Sequence, residues 1–161
     1  MKVTKYIAIA GILIALACSE KNEVTPLTYP QVFTGEVKKA WSIRNVQFVH
    51  TGSGTQTFSL DPCVTNDLYV FYNNPERTLQ VLAGATKCEE GDPDLIGESS
   101  WSFVNATATL IMIFPLLQNP PYSQIPCIVK EVDDTKMVVD VYLDEKRESA
   151  YRFNFKAASV E

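Results

Sequence analysis

Four cysteines and one histidine are the side chains of this sequence best suited to covalent chemistry or metal binding: Cys18, Cys63, Cys88, Cys127 and His50. Acyl transfer needs a nucleophile with a positioned base. His50 ends an apolar stretch beside Thr51-Gly52-Ser53-Gly54, the setting of a surface histidine at a turn. Zinc needs three or four ligands at short spacings, which one histidine and scattered cysteines do not provide. Glu89, Glu90, Asp92 and Asp94 offer oxygens, yet lack the alternation and glycine of an EF-hand loop. Asp61, Asp67 and Asp140 carry no mark of the paired carboxylates of glycoside hydrolysis. The expectation is a protein that is not an enzyme and needs no cofactor or metal.

Cys18 stands apart from the other cysteines. Lys2 and Lys5 precede an uncharged run over residues 6–17, and Cys18 is followed by Ser19-Glu20-Lys21-Asn22-Glu23. That is the layout of a signal peptide, and it is shorter than the roughly 20 apolar residues that span a bilayer. Leu16-Ala17-Cys18 resembles the lipobox of bacterial lipoproteins, although Ala15 occupies its usual aliphatic position. The resemblance implies removal of residues 1–17, a diacylglycerol thioether on Cys18, and membrane attachment through it. The alternative is a plain secretory signal with an incidental cysteine. Each buried acyl CH₂ contributes about 0.8 kcal/mol, so two or more chains hold a protein to a bilayer where one does so reversibly. Ser19, where an aspartate would signal inner-membrane retention, implies outer-membrane sorting, with the domain facing the periplasm or the cell surface.

Loss of Lys2 and Lys5 moves the formal charge from −5 to −7. No basic cluster is left to attract phosphate backbones, so nucleic acid is not an expected partner. Residues 18–161 are enough for one domain with a real core. In an oxidising envelope, Cys63, Cys88 and Cys127 cannot all pair within one chain. Cys63 and Cys88 each end an apolar-alternating stretch, which neighbouring strands would bring together, and Cys127 then reads as a buried thiol; the alternative leaves all three free.

The elements that must position these residues read as β throughout. Residues 18–34 are polar, contain Pro26 and Pro30, and read as an extended tether. Short runs rich in Val, Ile, Phe, Tyr and Thr follow at regular intervals: 37–49, with a parity change near Arg44-Asn45 that predicts a bulge, then 55–60, 67–72, 78–86, 99–104, 107–114, 128–132, 137–143 and 149–157. Asn105-Ala106 fits a two-residue hairpin. No helix is expected. Eight or nine strands joined to their sequence neighbours predict an all-β antiparallel meander closed into a barrel over residues 35–161.

Trp41-Ser42-Ile43, Asp61-Pro62-Cys63 leading to Tyr69-Val70-Phe71, Gly84-Ala85-Thr86-Lys87-Cys88, Trp101-Ser102-Phe103 and the turn Val132-Asp133-Asp134-Thr135-Lys136 resemble the lipocalin-like domains of Bacteroidota lipoproteins. The long proline-rich stretch 115–126 and Cys127 depart from that pattern. The resemblance implies that Trp41 closes one end of the barrel, with Arg152 as its covering cation; the alternative is a solvated Arg152 on the outer face. An eight-stranded barrel has room for side chains or one small ligand, so two functions are open. In the first, the barrel binds a small apolar or amphipathic molecule, with Trp41, Phe58, Tyr69, Phe71, Trp101, Phe103, Met112 and Phe153 as lining or ordinary core. In the second, a filled barrel meets an envelope protein partner, through the apolar stretch 113–126.

Overall fold

Period-two alternation of apolar and polar residues produces ten antiparallel strands in the computed structural model, which describes residues 29–117 and 123–159. A short helix α1 (Tyr29–Thr34) leads into β1 (Lys38–His50) and β2 (Gly54–Phe58). Then come α2 (Pro62–Thr65), β3 (Leu68–Tyr72), β4 (Thr78–Leu82), β5 (Leu95–Ser100) and β6 (Ser102–Val104). The chain finishes with β7 (Thr109–Ile113), β8 (Gln124–Val132), β9 (Lys136–Tyr142) and β10 (Ser149–Ala158). The strand order is β5-β4-β3-β1-β10-β9-β8-β7-β6, with β2 paired to the second half of β1. The two ends of this sheet, β5 and β6, are successive segments bent at Trp101. Gln124 of β8 reaches across to donate to Ser99 Oγ at 3.0 Å and Ser100 O at 2.7 Å, so the sheet is nearly closed into a barrel.

The expected bulge is present: the β1–β10 register shifts between Ile43 and Asn45, leaving Arg44 over. It lets Trp41 and Ile43 on one side of the bulge, and Val46 on the other, all enter the core. Four expectations are corrected, the first being the absence of helix, since α2 turns the chain between β2 and β3. The tether expected to run through residue 34 is helical from Tyr29, and its Phe33 is fully buried. Asn105-Ala106 is not a two-residue hairpin; Asn105–Thr107 forms a 3₁₀ turn and Ala108 takes positive φ at 51°, which lengthens the connection. The acidic loop after Cys88 ends sooner than expected, because Leu95–Ser100 pairs with β4.

Pro126 lies within β8, opposite Ile111 of β7, in the part of the strand where β9 pairing has not begun; that pairing starts at Ile128. A residue with no N–H is tolerated at such an edge. The Cys63–Cys88 disulfide joins α2 to the loop after β4, and Cys127 is a buried thiol that donates to Leu110 O at 3.1 Å. Burial raises the Cys127 pKa far above that of a reactive thiol. In the chain-entropy account, opening a loop with a sequence separation of 25 by Cys63→Ser with Cys88→Ser lowers stability by about 3–4 kcal/mol. Urea unfolding of the oxidised protein and the variant should show that difference in midpoint, with the native far-ultraviolet circular dichroism retained.

Candidate functional site

The barrel interior is the natural place for a ligand, and aromatic side chains fill it. At the end where β1 begins, Phe33 of α1 packs within 5.1 to 6.3 Å, ring to ring, of Phe103, Trp101 and Phe71. The Trp41 indole N–H donates to Phe33 O at 2.9 Å. That bond ties the helix down as a plug.

The cation covering Trp41 is Lys39, with its ammonium 4.3 Å from the ring centroid, and not Arg152. Lys39 also donates to Val32 O at 3.3 Å and faces Asp134 at 3.8 Å. Partial burial lowers its pKa against the opposing pull of Asp134 and Asp133. Arg152 lies between the inward-facing Tyr151 and Phe153, and so on the outer face of the sheet. There its Nε and Nη2 bond both carboxylate oxygens of Asp140, at 2.7 and 2.8 Å.

Further along the barrel, Phe114 and Phe153 meet at 4.6 Å, and Tyr69 packs on Phe155 at 5.3 Å. Burial holds the Tyr69 phenol in its neutral form. Six of the eight candidate lining residues, Trp41, Tyr69, Phe71, Trp101, Met112 and Phe153, are buried in one cluster, and Phe58 and Phe103 pack against it from its margin. Toward the His50 end of β1 the rings are half-exposed: Tyr151 lies 6.0 Å from both Phe48 and Phe58, and His50 stacks on Phe48 and bonds Ser149 Oγ at 2.9 Å.

The apolar stretch 113–126 is less exposed than expected. Ile113 and Phe114 are fully buried and Leu117 packs against the core, which leaves Leu116 and Pro126 as its exposed apolar side chains among the described residues. Residues 118–122 lie outside the described residues, as does the candidate anchor Cys18 with the expected signal peptide and most of the tether. No known protein family, curated protein or solved structure matches the chain.

Two carboxylates have surroundings the sequence did not reveal. Asp140 is 2% exposed although it lies on the outer face, because β9 brings it directly opposite Arg152 of β10 and Ile128 of β8. Asp67 lies in a cleft of about 330 Å³ with the disulfide, Ala83, Lys87, Asp92, Pro93 and Ile96. Gly84 is required beside it, since a β-carbon there would stand 2.3 Å from Asn66 O. Among the described residues no group of side chains is arranged to hold a metal ion.

Burial raises the Asp67 carboxyl from 3.8 to about 6; a hydrogen bond from the Gly84 N–H opposes the shift and the Asp92 charge adds to it. The folded state therefore binds more protons than the unfolded chain between those values, and this group makes stability fall as pH rises through that window. Asp67→Asn should raise stability at pH 7.5 by about 1 kcal/mol, a figure discounted for the solvent that reaches the carboxyl. It should leave stability unchanged at pH 3.5. Urea midpoints of both proteins at the two pH values test this; equal midpoints at pH 7.5 would show that the carboxylate is solvated.

Proposed function

We propose that the chain is a lipocalin-like, membrane-anchored envelope lipoprotein whose barrel is filled by its own side chains and works through its outer surface. The observation behind this reading is the meeting of Phe114 and Phe153 at 4.6 Å in the place where a ligand would sit, with Met112, Met137 and Leu110 fully buried around them. Close-packed rings leave no room for a guest unless the core rearranges. The plug of α1 on Trp41 supports the same reading, because it closes one end with a hydrogen-bonded main chain. Among the described residues no helix is long and apolar enough to cross a membrane. In this reading, attachment rests on lipid at Cys18, with outer-membrane sorting.

A second reading, a small apolar or amphipathic ligand, draws on the half-exposed rings Phe48, Phe58 and Tyr151. It would be a shallow seat and not a deep cup. The full chain should be expressed in a Gram-negative host supplied with labelled palmitate. Incorporation with membrane fractionation, both abolished by Cys18→Ala, is the expected result; an unlabelled soluble product from the native sequence would overturn the anchor. Native mass spectra of the protein, before and after denaturation, should give a bare polypeptide mass with its lipid. Additional mass released on unfolding would replace the filled-barrel reading with the binding one.

A further inference from the structure

We propose that a groove on the outer face of the barrel binds a phosphate group, carried free or on a lipid headgroup. The groove has a volume of about 190 Å³, and three cations from three separate elements line it: Lys130 of β8, Arg147 of the β9–β10 loop and Arg152 of β10. This gathering occurs in a chain of formal charge −5, so it does not follow from a basic composition.

A distinct local feature presents each cation. Lys130 is the residue left over where the β8–β9 register shifts between Val129 and Glu131, and a bulge re-aims its side chain out of the regular alternation. Lys130 has no ion-pair partner among the described residues. Arg147 takes positive φ at 58°, a strained conformation for a residue with a β-carbon. It is held there by its N–H bond to Asp144 O at 3.2 Å and by the Asp144 carboxylate, which accepts from the N–H groups of Glu148 and Ser149 at 3.0 and 2.8 Å. Its guanidinium rests 5.5 Å from the Tyr142 ring centroid.

Arg152 is fixed by Asp140, whose side chain is 3% exposed against 30% for the arginine. The two bonds to Asp140 use Nε and one N–H of Nη2, which leaves three of the five guanidinium donors unclaimed by it. A buried carboxylate thus holds the arginine in one orientation, as a preorganised anion site requires.

Val49, Thr51, Tyr142 and Ala150 complete the walls, and Glu148 is the one lining carboxylate without a cationic partner among the described residues. With Asp140 neutralised by Arg152, the groove keeps Lys130 and Arg147 against Glu148, a net positive site. A tetrahedral oxyanion can accept from donors that converge from three sides; a carboxylate would be satisfied by one guanidinium fork. A second concavity shares Tyr142 and Arg147 with the groove and has about 440 Å³; Pro126 and Ile128 line it together with Asp144 and Glu145, so it suits only the uncharged body of a phosphoester.

The test uses the full chain in nonionic detergent at low ionic strength, titrated with inorganic phosphate and with monomeric dihexanoyl phosphatidic acid, followed by calorimetry and thermal unfolding. Binding and a rise in Tm are expected for at least one of them. Tighter binding of the short lipid marks a headgroup as the source, and equal binding marks free phosphate. The exposed double variant Lys130→Gln with Arg147→Gln should weaken binding by about tenfold or more at an unchanged urea midpoint, and Glu148→Gln should strengthen it. No binding of either compound, or binding unaltered by the double variant, would overturn the proposal.

Discussion

Phe153→Ala is expected to lower the unfolding free energy by about 3–5 kcal/mol, the range for deleting a fully buried aromatic ring from a packed core. Phe153 is 0% exposed and lies on β10 opposite Val46 of β1 and Val139 of β9, with Phe114 across the barrel. Few neighbours can collapse into the space, since β10 is held by an unbroken ladder to β9 and pairs with β1 on both sides of its bulge. The variant should therefore contain an apolar void and take up a solute of benzene size, which stabilises it while leaving the parent unaffected. Urea unfolding with and without benzene measures both effects. A loss under about 1 kcal/mol, or stabilisation of the parent by benzene, would show that the native interior already has room for a guest. The same result would turn Trp41, Tyr69, Phe71, Trp101 and Met112 from core into lining.

Arg152→Ala should cost about 3 kcal/mol or more, because it leaves the Asp140 carboxylate buried on the outer face without its cation. The Arg152 guanidinium is itself held charged by that hydrogen-bonded partner. In the variant the Asp140 side chain, 3% exposed, is left with no cation to offset its desolvation. Replacing both residues, Asp140→Leu with Arg152→Met, should be near neutral, since apolar groups of similar size need no charge compensation. Chemical denaturation of the parent and the two variants at pH 7.5 decides the matter. A double variant as unstable as Arg152→Ala would mean that packing and not charge is at stake. These variants bear on the phosphate groove as well, but Lys130→Gln and Arg147→Gln test it without touching the buried pair.

Much of the architecture was legible in local pattern. Alternation over 149–157 predicted which face of β10 enters the core, and the parity change near Arg44-Asn45 predicted the bulge, because side-chain direction in a strand depends on position alone. The Cys63–Cys88 pairing followed from the ends of two apolar stretches. Element boundaries were less legible. Tyr29-Pro30-Gln31-Val32-Phe33-Thr34 is too short for a helical period to show, and its helix is anchored by a bond from Trp41 to Phe33 that no local signal encodes. Residues 95–98 carry Gly97 and Glu98 after an acidic loop, and only pairing with β4 makes them a strand.

The candidate sites divide in the same way. The lipobox-like Leu16-Ala17-Cys18, the acidic charge and the single histidine are properties of the chain by itself, and they carry the expectations about anchor, partners and absent chemistry. How deeply Trp41 and Phe153 are buried, which cation covers Trp41, and what becomes of Asp140 were decided only in the folded barrel. A lone aspartate or arginine on the polar phase of a strand reads the same whether it is solvated or paired. Register sets Asp140 opposite Arg152, and the β8 bulge and the Arg147 turn bring two more cations beside them. Such juxtapositions join residues far apart in the chain, and period and spacing carry no information about contacts across strands.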